Sequence, residues 1–247
     1  MPINYVRRLT GRQRAAQANR HLGIALAFVA GAANAGGFLA VKQYTSHMTG
    51  IVSSAADDIA LGAFDAALDC AGAFLAFLAG AACCAIMVNF ARRRQLHSEF
   101  ALPLLLEAVL LLAFGVMGAR LQAIDVIVLP ATVTLLCFMM GLQNAVITKL
   151  SNAEIRTTHM TGIVTDLGIE AGKALYWNRD SQAVPRVAAD WRRMRILGAL
   201  LLSFFIGALA GAFGFKLVGF GATLPLAAVL LLLAIVPILD DLRSRPH

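Results

Sequence analysis

Six stretches of about 18 to 23 residues, nearly free of charge, recur along this 247-residue chain. A helix rises about 1.5 Å per residue and needs roughly 20 residues to cross the hydrocarbon of a bilayer. The stretches run from Leu22 to Val41, Cys70 to Phe90, Leu102 to Ala119, Val126 to Thr148, Ile196 to Phe215 and Ala222 to Leu239. Only 14% of the residues are charged and 59% are apolar, far from the balance of a soluble domain. The expectation is an all-α polytopic membrane protein of six transmembrane helices.

The net charge of +7 raises the question of nucleic acid, and the placement of the charges answers it. With the N-terminus inside, 18 of the 21 basic residues fall in cytoplasmic segments, and only Lys42, Arg120 and Lys216 fall on the other face. That asymmetry is the positive-inside pattern, with both termini cytoplasmic. No nucleic-acid partner is expected, because no soluble segment is long enough for a basic domain. The four cysteines, Cys70, Cys83, Cys84 and Cys137, lie inside spans and show no disulfide framework or metal spacing. No metal and no cofactor is expected.

The chain also repeats itself. Residues 45–52 read T-S-H-M-T-G-I-V and residues 157–164 read T-T-H-M-T-G-I-V. Upstream, Gly31-Ala-Ala-Asn34-Ala35 answers Gly141-Leu-Gln-Asn144-Ala145; downstream, Leu102-Pro103-Leu104 answers Leu224-Pro225-Leu226, and Ala108 to Leu111 answers Ala228 to Leu231. Each unit holds three spans, so the second begins on the opposite side of the membrane. The expected organisation is a 3+3 inverted-topology repeat: a basic segment over 1–21, a first unit over 22–120, a second over 121–240 and a tail over 241–247.

After each His-Met-Thr-Gly a helical period continues, and the Ser and Thr residues before it are good N-caps. Two short motif helices are expected, re-entrant or interfacial, because Asp57 and Asp58 are costly deep in lipid. His47, Thr49 and Gly50 with His159, Thr161 and Gly162 offer imidazoles, hydroxyls and free helix amides to an anion or polar solute. The competing reading is capping and packing. Asn34 and Asn144 either face the same cavity or form interhelical hydrogen bonds. Glu107 lies inside the third span, where its counterpart is Ala227; it either binds a proton or cation or pairs with a basic loop near the headgroups. Asp58 and Glu170 occupy matched positions and read as acids on solvated faces. Gly80 with Cys84, and Gly207 with Gly211, have the small-xxx-small spacing of close helix contacts.

The segments G-L-Q-N-A-V-I-T-K-L and Ala153 to Gly162, with Ser46 to Gly50, resemble the YoaK family of bacterial membrane proteins, also called DUF1275. The resemblance runs from about Leu22 to Leu239 and implies a six-span protein of the bacterial inner membrane. It implies no activity. Where many members follow the first His-Met-Thr-Gly with an Asn-Thr pair, this chain has Ile51-Val52.

The function expected from the repeat is transport or conduction of a small solute or ion, with a site between the repeats. The alternative is a non-catalytic scaffold or sensor subunit. An enzyme is less expected still, since no H-E-x-x-H, G-x-S-x-G or phosphate loop is present. The partners implied are the lipid bilayer and an unknown solute, and so small a unit is compatible with a homodimer.

Overall fold

The computed structural model describes residues 16–96, 99–120, 125–150, 160–177 and 186–243. Among them every regular element is helical. The order is α1 (Ala16–Val41), α2 (Met48–Ala60), α3 (Phe64–Arg93), α4 (Ala101–Arg120), α5 (Asp125–Leu150), α6 (Met160–Leu175), α7 (Trp191–Val218), a 3-10 turn (Gly219–Ala222) and α8 (Thr223–Arg243).

Five segments of the described chain are long and apolar enough to cross a membrane: Arg20–Val41, Phe64–Arg93, Ala101–Ala119, Val128–Lys149 and Trp191–Ile235. The last, 45 residues long, contains α7, the 3-10 turn and most of α8. A continuous helix of that length would run about 68 Å, twice a bilayer's hydrocarbon. Gly219, at φ +63, ends α7 within it. A positive φ, costly for residues with a Cβ, also closes the turn between α2 and α3 at Gly62.

The helices are apolar on their outer faces too. Phe74, Leu75, Leu78 and Ile86 of α3 and Leu202, Phe205 and Leu209 of α7 are exposed, as suits surfaces solvated by lipid. Two threonine hydroxyls inside α5 are satisfied by their own helix. Thr132 Oγ1 donates to the Val128 carbonyl at 2.6 Å and Thr134 Oγ1 to the Pro130 carbonyl at 2.9 Å.

With no hydrophobic drive between helices already in lipid, close packing decides which helices pair. On α1 and α7 the contacts climb together. Ser203 Oγ donates to the Ile24 carbonyl at 2.8 Å, Gly207 lies against the Phe28 carbonyl, Gly211 against Ala32, and Gly36 under the Phe215 ring. Each step is four residues on both helices, so α1 and α7 run parallel along one ridge. A Cβ on Gly31 would collide with the Phe204 carbonyl, and one on Gly207 with the Phe28 carbonyl. The same reciprocal contact recurs between α3 and α5, where Gly80 meets the Phe138 carbonyl and Gly141 the Phe77 carbonyl.

The third pair is α4 with α8. Gly115 approaches Thr223 and Gly118 approaches the Phe220 ring, numbers falling as they rise, so these helices are antiparallel. Phe114, Phe215 and Phe220 meet there, with ring centroids 5.6 to 6.0 Å apart. One buried cluster, including Leu26, Leu104, Leu111, Met140, Leu200 and Leu230, joins the three pairs.

Candidate functional site

The first motif follows directly from the end of α1. Lys42, at φ 57, stops the helix, Tyr44 stacks on Phe38 with centroids 4.6 Å apart, and Thr45 is buried. Ser46 does not cap α2. Its hydroxyl is 2.9 Å from Asn34 Oδ1 and ties the segment back to α1. His47 occupies the N-cap position of α2 with no side-chain cap bond, and it is exposed. Its imidazole folds over Gly50, where a Cβ would collide with the ring. Thr49 is exposed beside it.

The helix that follows leans on its neighbours through Ile51, buried against Ala73 and Ala76 of α3 and Cys137 of α5. Asp58 Oδ2 lies 3.9 Å from Cys70 Sγ, so α2 and α3 form an antiparallel hairpin. The start of α2 therefore reaches back beside the bundle, and its end lies level with the start of α3.

In the second motif, His159 lies outside the described residues. Thr161 is exposed, accepting through its carbonyl from Thr165 Oγ1 at 2.8 Å, and Gly162 is half-buried. Ile163 matches Ile51 and is buried with Leu197 and Leu200 of α7. Farther along α6, Asp166 pairs with Arg193 at 2.9 Å and Glu170 Oε2 accepts from the backbone N–H of Asp190 at 2.8 Å. Glu170, which reads in the sequence as a solvated acid, is buried. The Lys173 ammonium at 2.8 Å and the Asp190 N–H hold its carboxyl below the usual carboxylate range.

These contacts place the motifs relative to each other. α6 is pinned to the start of α7, which lies beside the first half of α1, whereas α2 follows the end of α1. The two motif helices thus stand at opposite ends of α1, whose 22-residue apolar segment spans about 33 Å. The structure does not bring them together.

Asn34 and Asn144 both lie half-buried on the first long helix of their units. Asn34 meets Ser46, while Asn144 Nδ2 donates to the Met140 carbonyl at 3.0 Å. Glu107 is 1% exposed, with Oε2 unpaired. Arg92, in the basic segment that ends α3, pairs with a different acid, Glu99. Among the described residues no three His, Cys, Asp or Glu side chains group as metal ligands.

A family model described as a protein of unknown function, DUF1275, matches residues 22–236. The chain belongs to the DUF1275 family. Comparison with curated proteins and with solved structures gave no match. In this DUF1275 protein an open apolar cleft of about 390 Å³ lies where α1 and α7 end, walled by Leu39, Leu209, Phe213, Phe215 and Phe220 with Lys216 at its edge. None of the candidate site residues named from the sequence lines it. Sequence reasoning also passed over Gln143, which stands inside the matched G-L-Q-N-A segment and is wholly buried, its Nε2 3.5 Å from the Leu26 carbonyl.

Proposed function

We propose that the chain is a small-solute or ion transporter of the bacterial inner membrane, built as two inverted three-span units with both termini in the cytoplasm. The observation that carries this reading is the exchange of helices between the sequence halves. Gly31 and Gly141 are matched residues of the repeat, and each belongs to a glycine contact with the second long helix of the other half. Two like pairs result, α1 with α7 and α3 with α5, each stitched backbone to backbone with no side chain to give slack.

Rigid pairs of this kind suit alternating access, in which one packed body rocks against its pseudo-symmetric mate. The seam between them runs along α1 and α5, where Gln143 meets the Leu26 carbonyl and Leu136 approaches Gly37. On this reading the motifs are two gates, one at each end of the seam, rather than two walls of one site. His47 with Thr49 and Gly50, tied to Asn34 through Ser46, forms the outer gate, and Thr161 and Gly162 with Asn144 form the inner one. Glu107 belongs to the interior between them.

The test is uptake by vesicles reconstituted with the full-length protein across a panel of small anions, cations and polar solutes. Flux above that of protein-free vesicles, reduced in His47→Ala, is expected. Folded protein that moves nothing across the panel removes the proposal, and co-purification with a stable partner would then favour a scaffold or sensor subunit.

A further inference from the structure

Glu107 stands among Leu104, Ala108 and Leu111 of α4, all fully buried. Only two buried side-chain atoms among the described residues lack a hydrogen-bond partner, Glu107 Oε2 and Gln143 Oε1. Both stand where the other half of the chain has a buried alanine, Ala227 and Ala33. Alanine fills the equivalent places in the same core, so packing alone does not call for a carboxyl.

An ionised carboxylate with an unpaired oxygen in such a core is strongly disfavoured, the neutral acid far less so. The surroundings offer little to offset the charge. Over Thr223 to Ile235, α8 carries no titratable side chain. From α3, Cys84 lies within electrostatic reach of both Glu107 and Lys149 of α5; Arg92 is engaged with Glu99. A metal ion would need several oxygen ligands, whereas a proton needs one.

We propose that Glu107 is a reversible proton-binding site, neutral in the closed bundle and ionised when water reaches it. On release the O–H bond breaks, the electron pair stays on the carboxylate and the proton passes to water. Taken with the transport reading, on which this last step rests, the proton becomes the coupling ion.

Dicyclohexylcarbodiimide tests the site on the full-length protein in vesicles. This apolar reagent takes the acid proton on nitrogen as the carboxyl oxygen bonds to its central carbon, and the adduct rearranges to a stable N-acylurea. The expected result is an adduct on the Glu107 peptide, absent from Glu107→Gln and retained in Glu107→Asp. Its rate should fall about tenfold per pH unit once the acid ionises. No adduct at Glu107, or labelling unchanged between about pH 5 and pH 10, overturns the proposal, since an acid that never ionises within several units of the ordinary carboxylate range is a packing group. Flux on the same vesicles tests the solute pathway separately. Absent flux beside a pH-dependent adduct removes the transport reading and leaves the proton site.

Discussion

Gly207 of α7 lies directly against the carbonyl oxygen of Phe28 on α1, with no room for a Cβ between them. Backbone meets backbone there, and the neighbouring contacts at Gly31 and Gly211 repeat it along the same ridge. A side chain at Gly207 must push the helices apart along the whole ridge. Gly207→Leu is therefore expected to destabilise the protein by about 1–3 kcal/mol or more. Gly72, which has open space around it, serves as the control: Gly72→Leu should leave the thermal midpoint of the purified protein nearly unchanged, while Gly207→Leu lowers it.

The Ser46 to Asn34 contact predicts a coupling. Removing either partner alone leaves the other half-buried and unpaired, so Ser46→Ala and Asn34→Ala should each cost about 0.5–1.5 kcal/mol, with the double variant costing less than their sum. Denaturation of the four proteins in one detergent measures it. Strict additivity would show that the pair does not hold the motif to α1.

Gly50 predicts a separation of fold from function. An alanine there displaces the imidazole of His47, an exposed ring free to move, and improves helix propensity by up to about 1 kcal/mol. Gly50→Ala should thus melt no lower than the parent yet lose flux if His47 gates the pathway. Full flux with a displaced ring would exclude a role for that imidazole.

Glu170 predicts a pH dependence with a definite sign. Lys173 and the Asp190 N–H lower its folded-state pKa, so its stabilising effect is complete above the unfolded carboxylate value, about 4.3 for a free Glu, and fades as pH falls through the lower folded value. Thermal midpoints should drop in that acid range. Glu170→Gln, unable to titrate, should start lower at neutral pH and lose less on acidification. Parallel pH curves for the two proteins would contradict this.

The charge asymmetry predicts topology. Green fluorescent protein fused after His247 should fluoresce, while alkaline phosphatase at the same point stays inactive. An active phosphatase fusion would reverse the orientation.

Much of the fold was legible in the residues themselves. The stretch expected from Leu102 to Ala119 is α4, Ala101–Arg120, and that from Cys70 to Phe90 lies within α3, which continues to Phe64 and Arg93. A spanning helix satisfies its own backbone in lipid, so length and apolarity suffice to write it. The small-residue spacing at Gly207 and Gly211 likewise marked a contact face. It named no partner, because any helix with a matching groove gains the same dispersion energy.

Partners and burial were left to the tertiary structure. That α1 chose α7, that Ser46 turned to Asn34 instead of capping α2, and that Glu170 was drawn from a solvated face to the start of α7 are sums over neighbours far apart in the chain. The sequence by itself determined long apolar helices, their charged ends and a twice-written motif, since each depends on local composition. Only the tertiary structure decided that the motif helices do not meet across the bundle and that Glu107 is enclosed, because these follow from which helix faces pack, a choice no single segment carries.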